Sequence, residues 1–260
     1  MPLIVVYSPK GGVGKTTLSA SLCYSFSSIG TRTLAVDLDP QNALKLHFGV
    51  PVSDDRGLCE QLLVNEDWNR NIINRDDNIY VLPFGRDSKC SSELLTQYYP
   101  RYFEQLEKLL NQTDLLIVVD LATANENLIK YLLPLIDIVL IPLLSDTASL
   151  ALLPRVEQLI SDISDLKSSI VTKVILNKMD FKSKVCVDVE NFSKEHLNEH
   201  LIGNVHKDYS IIEANAYQKS VFELHPSSMA AYDINSITNE LIRVLKDSGH
   251  YGFINEVFDR

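Results

Sequence analysis

The sequence has little that would support a membrane-inserted protein, a disulfide framework or a metal cluster. Its four cysteines, Cys23, Cys59, Cys90 and Cys186, are widely spaced and form no C-x-x-C pair, which predicts free thiols in a reducing compartment. No apolar run reaches the roughly 18 to 20 residues of a membrane helix, and the N-terminus lacks the pattern of a signal peptide. These absences favour a cytoplasmic protein with no direct membrane insertion.

Positive charge is also in short supply. The 260 residues include 24 Lys and Arg against 34 Asp and Glu, which gives a formal net charge of −10. Because nucleic-acid binding depends largely on basic side chains that contact phosphates, this balance argues against general nucleic-acid binding. The hydrophobic content of 45% is enough for one substantial core. We therefore expect a single domain over residues 1–246, followed by a C-terminal tail over residues 247–260.

What the sequence does contain is a regular alternation of strand-like and helix-like segments. Short, continuously apolar runs predict strands covered on both faces, at Leu3–Tyr7, Thr33–Asp37, Ile79–Leu82, Leu115–Asp120, Ile138–Leu143, Thr172–Asn177 and, more weakly, Ile202–His206. Helical patterns lie between or after them, at Lys15–Ile29, Tyr102–Leu110, Ala148–Ile163, Val185–Leu201 and Asp233–Lys246, the last with Asp233 as a candidate N-cap. This alternation predicts an α/β fold with a doubly wound, mainly parallel β-sheet and helices on both faces.

A glycine-rich segment, SPKGGVGKTT at residues 8–17, joins the first predicted strand to the first predicted helix. Glycines let consecutive backbone N–H groups turn onto phosphate oxygens, and a helix N-terminus adds a favourable dipole. In this strand–loop–helix context the segment indicates a P-loop, with Lys15 reaching the β- and γ-phosphates and the Thr16 hydroxyl ligating Mg²⁺. The predicted nucleotide-binding residues of this segment are Lys10, Gly11, Gly12, Val13, Gly14, Lys15, Thr16 and Thr17.

The loop departs from the common pattern G-x-x-x-x-G-K-[ST], because Pro9 stands where its first glycine would be and Lys10 follows. The run KGGVGKT resembles the deviant P-loop of the ParA/MinD family of ATPases. The resemblance implies a P-loop NTPase fold and an ATP-dependent homodimer that closes on two ATP molecules and hydrolyses them slowly. It also implies that Lys15 serves its own nucleotide, whereas Lys10 crosses to the phosphates held by the partner. A solvated loop lysine is the plain alternative for Lys10.

Two aspartates follow predicted strands at positions that suit metal and water binding. Asp39 lies in DLDPQ, and Asp120 ends the apolar run DLLIVVD. The resemblance assigns Asp39 to the segment called switch I, where it orients the attacking water, and Asp120 to the Walker B strand, where it holds Mg²⁺ through water. Aspartates at strand ends also commonly cap the next helix. The resulting predictions are Lys10, Lys15 and Asp39 as catalytic residues and Thr16, Asp39 and Asp120 as the metal site.

One further motif leaves open whether the nucleotide base is adenine or guanine. The tetrapeptide NKMD at residues 177–180 fits the guanine-reading N-K-x-D pattern of many GTPases. The ParA/MinD family, however, has an asparagine at this strand end that contacts adenine. The resemblance therefore implies that Asn177 contacts the base, that Asp180 is structural, and that the nucleotide is ATP.

One short segment matches a zinc-binding pattern instead of a nucleotide-binding one. The segment HLNEH at residues 196–200 fits an inverted zinc-peptidase motif, with His196 and His200 on one face of the predicted helix. A charged surface helix explains the same residues, and no second half of such a motif is present. We expect no zinc site here.

Other segments bear on the branch of the family. Ser210 stands where DNA-partitioning members usually have an arginine, and the tail is acidic, unlike the membrane helix of MinD-like members. The region from residue 43 to residue 85, with Trp68 and an LPFG strand end, resembles the BcsQ-type accessory ATPases of bacterial cellulose biosynthesis. This narrower resemblance implies that the protein assembles or positions a cellulose-secretion complex through protein partners, which would also bring it to the inner membrane or cell pole. A DNA-partitioning ATPase and a non-hydrolysing, ATP-stabilised scaffold protein are the alternatives.

Overall fold

The strands of the protein form one sheet with a single antiparallel edge. The computed structural model describes residues 1–64, 66–86, 96–112, 114–123 and 125–250. Across the sheet the order is β3-β4-β2-β5-β1-β6-β7-β8, and all neighbours are parallel except β3 and β4. The strands are β1 Leu3–Val6, β2 Thr33–Leu38, β3 Ile73–Asp76, β4 Ile79–Leu82, β5 Leu116–Leu121, β6 Ile138–Leu144, β7 Val171–Met179 and β8 Leu201–His206.

Helices cover both faces of this sheet. The helices among the described residues are α1 Lys15–Ser28, α2 Leu58–Val64, α3 Tyr99–Gln112, α4 Glu126–Leu132, α5 Thr147–Leu150, α6 Leu153–Leu166, α7 Lys184–Leu197, α8 Tyr209–Ala216, α9 Val221–Leu224 and α10 Met229–Asp247. None of the described helices is both long enough and apolar enough to cross a membrane. The predicted α/β fold with a mainly parallel, doubly wound sheet is confirmed.

The core consists of two hydrophobic layers, one on each side of the sheet. Side chains alternate along a strand, so Leu3 and Val5 of β1 join one layer with Leu106 of α3, whereas Ile4 and Val6 join the other. All four β1 side chains are fully buried. Burying a side chain of this size contributes about 1.5 to 3 kcal/mol. This explains why the strands appear in the sequence as continuous apolar runs.

All seven predicted strands are present, with boundaries that differ by no more than two residues. The strand that the sequence did not predict is β3, which pairs antiparallel at the sheet edge and is only half-buried. Its sequence, INRD, therefore lacks the apolar run that marks a strand covered on both faces.

Several helix predictions need correction. The predicted helix Ala148–Ile163 is two helices, α5 and α6, and Pro154 lies in the first turn of α6. Asp233 is not an N-cap, because α10 begins at Met229 and is capped by Ser228, whose Oγ accepts from Ala231 N at 3.2 Å. Asp233 lies inside the helix, where its carboxylate accepts from the backbone N and Nδ1 of His206 at 2.8 and 2.6 Å.

The predicted pairing of His196 and His200 on one helical face is wrong. Helix α7 ends at Leu197, and a 3₁₀ turn follows over Asn198–His200. His196 Nδ1 lies 3.3 Å from Glu157 on α6, whereas His200 Nδ1 lies 2.8 Å from the carbonyl oxygen of Thr172.

The prediction of free thiols holds for some of the cysteines only. Cys23 and Cys186 are free, but Cys59 is disulfide-bonded, and Cys90 lies outside the described residues. Residues 251–260 of the predicted tail also lie outside the described residues.

The parallel arrangement brings several polar loops to one edge of the sheet. Strands β1, β2, β5, β6 and β7 all end at this edge. The glycine loop follows β1, Asp39 follows β2, Thr123 follows β5 and Asp146 follows β6. Lys178 is the penultimate residue of β7. Open α/β sheets place their ligands at this edge.

Candidate functional site

The glycine loop has a backbone that only glycine accommodates at its end. Gly12 and Gly14 have φ angles of 73° and 94°, in the left-handed region. A Cβ on Gly14 would lie 2.5 Å from Nδ2 of Asn177, which leaves no room for a side chain. Gly14 directly precedes α1, and no side chain caps that helix. The first N–H groups of α1 are therefore available to an anion at the mouth of the loop.

Lys15 points into the cleft beside this loop. The residue is only 9% exposed, and its Nζ donates to Thr123 Oγ1 at 2.8 Å. The cleft has a volume of about 680 Å³, within the range of small-molecule sites. It brings together many of the predicted phosphate and metal residues; its lining is Gly11, Gly12, Gly14, Lys15, Thr16, Thr17, Asp39, Pro40, Gln41, Ala122, Thr123 and Lys178.

Lys10 lies at the rim and is held by an ion pair within its own protomer. Its Nζ is 2.8 Å from both carboxylate oxygens of Asp146 and 3.3 Å from Ser149 Oγ. The two side chains are 22% and 44% exposed. Partial burial opposes ionisation of Asp146, but hydrogen bonds from Lys10 and Ser149 outweigh it and lower the pKa of this carboxyl. The plain alternative of a solvated loop lysine does not describe this arrangement.

Asp120 is buried close to the cleft residues Lys15 and Thr16, and one of its carboxylate oxygens is unused. The residue is 1% exposed, and its Oδ1 accepts from Ser19 Oγ at 3.3 Å, while Oδ2 has no hydrogen-bond partner. Burial raises the pKa of Asp120 to about 6, against the opposing effects of the nearby Thr16 hydroxyl and the Lys15 charge. A buried, orphaned carboxylate oxygen beside a threonine hydroxyl is a donor set that suits Mg²⁺. The residues present therefore fit the implied metal.

Two aspartates of the DLDPQ segment have different roles. Asp37 is fully buried opposite Asp120 on the neighbouring strand, and both burial and the Asp120 charge raise its pKa well above the ordinary value. Its oxygens accept from the backbone N of Asp39 at 2.9 Å and of Leu44 at 3.2 Å. Asp37 thus fixes the loop that presents Asp39, whose own carboxylate accepts from Gln41 N at 2.9 Å and lines the cleft.

A second, mainly apolar cavity of about 370 Å³ adjoins the loop and is the natural place for a base. Asn177 lines it, but its Nδ2 already donates to Val13 O at 2.7 Å and its Oδ1 accepts from Lys178 N at 2.9 Å. Asp180 lines neither cavity, and its Oδ1 accepts from Lys182 N at 3.0 Å. A hydrogen bond to the backbone two residues along the chain is typical of a turn residue. The cavity is lined by Gly14, Thr17, Leu18, Ser21, Asn177, Lys178, Val205, His206, Lys207, Asp208, Ile211, Ile212, Asn215 and Ile234.

Three residues of the site were not singled out by the sequence: Asp146, Thr123 and Lys178. Asp146 follows the apolar run IVLIPLL, which is the same signal that marks Asp39 and Asp120. Thr123 lies three residues after Asp120, in a segment that matches no motif. Lys178 was recognised as part of NKMD, but nothing in the sequence indicates its contact with the glycine loop.

Comparison with known proteins gives a family match across most of the chain. The model of the family described as "Cellulose biosynthesis protein BcsQ" matches residues 1–242. The BcsQ protein of Escherichia coli K12 is 33% identical over 86 residues, and that alignment covers 33% of this chain and 34% of that protein. The virulence plasmid ParA family protein pGP5-D of Chlamydia muridarum is 25% identical, and its alignment covers 96% of each chain.

Solved structures of MinD-type proteins share the fold. MinD of Pyrococcus horikoshii, complexed with Mg-ADP, superposes with a TM-score of 0.78 at 20% identity, covering 95% of this chain and 98% of that one. MinD in the MinC:MinD complex of Aquifex aeolicus superposes with a TM-score of 0.76 at 18% identity, covering 93% of this chain and 96% of that one. An McdA variant of Cyanothece in complex with ATP superposes with a TM-score of 0.74 at 19% identity, covering 95% of this chain and 96% of that one. The expected P-loop NTPase fold and the resemblance to ParA/MinD proteins are confirmed.

Proposed function

The chain belongs to the family of the cellulose biosynthesis protein BcsQ, and on that premise we propose that it is a Mg-ATP-dependent ATPase that dimerises and hydrolyses ATP slowly. The observation that carries the proposal is the position of its two loop lysines. Lys15 lies inside the cleft, with its Nζ on the Thr123 hydroxyl, whereas Lys10 lies at the rim, on Asp146. In this proposal Lys15 serves the nucleotide of its own protomer, and Lys10, whose side chain is 22% exposed, serves the nucleotide of the partner.

Binding of the phosphates uses groups that the nucleotide-free loop leaves available. The uncapped N–H groups at the start of α1 and the loop amides donate to phosphate oxygens. Lys15 exchanges the neutral Thr123 hydroxyl for negatively charged oxygens, which form stronger hydrogen bonds with an ammonium group. Asn177 and the apolar walls of the second cavity hold the adenine.

Mg²⁺ would be held by the Thr16 hydroxyl and the Asp120 carboxylate, with Asp39 lining the same cleft as Thr16. Mg²⁺, when bound, neutralises charge on the β- and γ-phosphate oxygens. Asp120 supplies its unused Oδ2, either directly or through water. Ser19 holds the other oxygen and so fixes the orientation of the carboxylate.

Hydrolysis requires a water held in line with the γ-phosphate and a cation opposite the developing charge. Asp39 lines the cleft on a loop fixed by Asp37, and it orients that water. Lys10 of the partner protomer supplies the additional cation, after leaving its own Asp146. Placing this cation in trans makes hydrolysis depend on dimerisation, as an arginine finger does in other NTPases.

The cellular role that the family favours is the assembly or positioning of a bacterial cellulose-secretion complex, through protein partners that recruit the ATPase to the inner membrane or cell pole. The family match over residues 1–242 supports this role. A MinD relative of the same fold forms a complex with MinC, which is a precedent for partner binding on this scaffold.

DNA partitioning is a second candidate, favoured by one observation. The alignment with the plasmid ParA family protein pGP5-D extends over 96% of this chain, whereas the alignment with E. coli BcsQ covers 33%. The net charge of −10 opposes this candidate. Salt-sensitive binding to double-stranded DNA in the ATP state would support partitioning, and its absence would favour the cellulose role.

The test of the proposed function combines turnover with molar mass. Phosphate release and light scattering are measured with Mg-ATP, with Mg-ADP and without nucleotide. We expect slow turnover and a dimer in Mg-ATP alone. A dimer that releases no phosphate would identify a non-hydrolysing scaffold, and a protein that binds neither nucleotide would contradict the proposal entirely.

A further inference from the structure

Lys178 adopts a backbone conformation that is unusual for its residue type. Its φ is 56°, in the left-handed region, where a lysine side chain is strained and glycine or asparagine is preferred. The cause is a bulge in β7. Leu176 and Met179 pair with Asn204 and His206 of β8, so two residues of β7 lie opposite one residue of β8. Strain of this kind persists where the surrounding structure requires the conformation, often at a functional site.

The bulge turns two adjacent side chains onto the glycine loop. Nδ2 of Asn177 donates to Val13 O at 2.7 Å, and Nζ of Lys178 donates to Gly12 O at 3.1 Å. The C=O and N–H of a trans peptide point in opposite directions. Holding these two successive carbonyls therefore fixes the directions of the N–H groups of Val13 and Gly14.

Lys178 also lies on the wall between the two cavities of the site. It lines both the phosphate cleft and the base cavity, as Gly14 and Thr17 do. The side chain is exposed, so no requirement of core packing explains why a lysine occupies this position. Its contact with the loop is the interaction that the strained backbone makes possible.

We propose that Lys178 is a nucleotide-positioning residue that holds the glycine loop ready for the β-phosphate. This inference rests on the proposed function. The motif NKMD would place Lys178 at the base, whereas the inference assigns it to the phosphate chain. Two signatures follow. Loss of the ammonium weakens ligands that carry a β-phosphate and leaves AMP binding unchanged, and relief of the backbone strain stabilises the protein while weakening the same ligands.

The first test compares Lys178→Met with Lys178→Arg, because methionine keeps the aliphatic chain and arginine keeps the donor. Affinities for ADP and AMP are measured by displacement of a fluorescent nucleotide. We expect Lys178→Met to bind ADP about tenfold more weakly, the equivalent of one charged hydrogen bond, with AMP unchanged. Lys178→Arg should restore most of the ADP affinity.

The second test uses Lys178→Gly, which removes the strain and the ammonium together. We expect its thermal midpoint without nucleotide to rise by about 2 to 4 °C while its ADP affinity falls as in Lys178→Met. Gln218→Gly is the matched control, since Gln218 has a φ of 54° and lines neither cavity. The control should gain stability and bind ADP as the wild type does.

Two results would overturn the inference: wild-type ADP affinity in Lys178→Met, or an equal loss for AMP and ADP. A wild-type protein that binds no nucleotide would instead contradict the proposed function. The two failures are therefore distinguishable.

Discussion

Lys10 Nζ lies 2.8 Å from both carboxylate oxygens of Asp146 in the same protomer. Asp146 is also the N-cap of α5, where its side chain accepts from Ser149 N at 2.8 Å, so the carboxylate is fixed in place. If Lys10 acts on a partner's nucleotide, it must first leave this ion pair. The pair therefore opposes dimerisation in the proposed cycle.

Replacing Asp146 should make dimerisation easier. Because the pair is partly exposed, its net contribution is about 0 to 1 kcal/mol. Since both protomers of a symmetric dimer release one such pair, we expect Asp146→Asn to lower the protein concentration needed for the Mg-ATP dimer by up to about thirtyfold. Analytical ultracentrifugation with a non-hydrolysable ATP analogue measures this change.

The matched control is Asp114→Asn, which removes a surface carboxylate paired with Arg32 at the opposite edge of the sheet. The control should dimerise as the wild type does. Weaker dimerisation of Asp146→Asn would show that Asp146 stabilises the dimer. That result would contradict the expectation that its ion pair with Lys10 opposes dimerisation.

Lys15→Ala should remove nucleotide binding. Lys15 is buried in the cleft, and its ammonium donates to Thr123, so the substitution removes a charged donor to the phosphates from inside the cleft. We expect the ADP dissociation constant to rise by about a hundredfold, measured by calorimetry. An unchanged dissociation constant would remove Lys15 from the phosphate site.

Asp39→Ala should separate binding from hydrolysis. The Asp39 loop is fixed by Asp37 through backbone contacts that this substitution retains. We expect ATP affinity near that of the wild type, turnover lower by about 10² or more, and a dimer that persists. Phosphate release at saturating Mg-ATP is the measurement, and normal turnover would contradict the assignment of Asp39.

Asp120→Asn should uncouple nucleotide binding from Mg²⁺. In the wild type, EDTA should weaken ADP binding, whereas in the variant Mg²⁺ and EDTA should give similar affinities. The same substitution should raise the thermal midpoint of the nucleotide-free protein near pH 7.5. A carboxyl whose pKa is raised to about 6 by burial destabilises the fold once it is ionised.

That stability difference has a defined pH dependence. The cost of the ionised Asp120 is absent below the ordinary carboxyl pKa, near 4, and complete above about pH 6. The gain in Asp120→Asn should therefore shrink as the pH falls through this interval. An equal gain at pH 4 and pH 7.5 would show that the carboxylate is not the source.

The sequence predicted the sheet well because its strands are buried on both faces. Leu3, Ile4, Val5 and Val6 all lie in a hydrophobic layer, so burial leaves a continuous apolar run that can be recognised without alignment. The edge strand β3 has one exposed face and only four residues, and it leaves no such run. Helix boundaries were less predictable, because caps such as Ser228 depend on local hydrogen bonds.

For the candidate site, the sequence predicted which residues take part, but it did not predict which side chains contact each other. The glycine loop and Asp120 were predicted from local patterns, and in the structure the loop lines one cleft while Asp120 is buried close to Lys15 and Thr16 of that cleft. The contact of Lys10 with Asp146 joins residues 136 positions apart, and that of Lys15 with Thr123 joins residues 108 apart. Such pairs depend on which strands are neighbours in the sheet, which no local pattern records.

The trans action of Lys10 is tested most directly by mixing two inactive variants before ATP is added. Lys10→Ala keeps a complete cleft but cannot supply the lysine, whereas Asp39→Ala supplies the lysine but cannot hydrolyse. In a twofold dimer of one copy of each, the cleft of the Lys10→Ala protomer receives Lys10 from its partner. We predict that each variant alone is inactive and that the equimolar mixture regains roughly a quarter of the wild-type rate, as random pairing in a symmetric dimer requires. A mixture as inactive as its components would contradict the account.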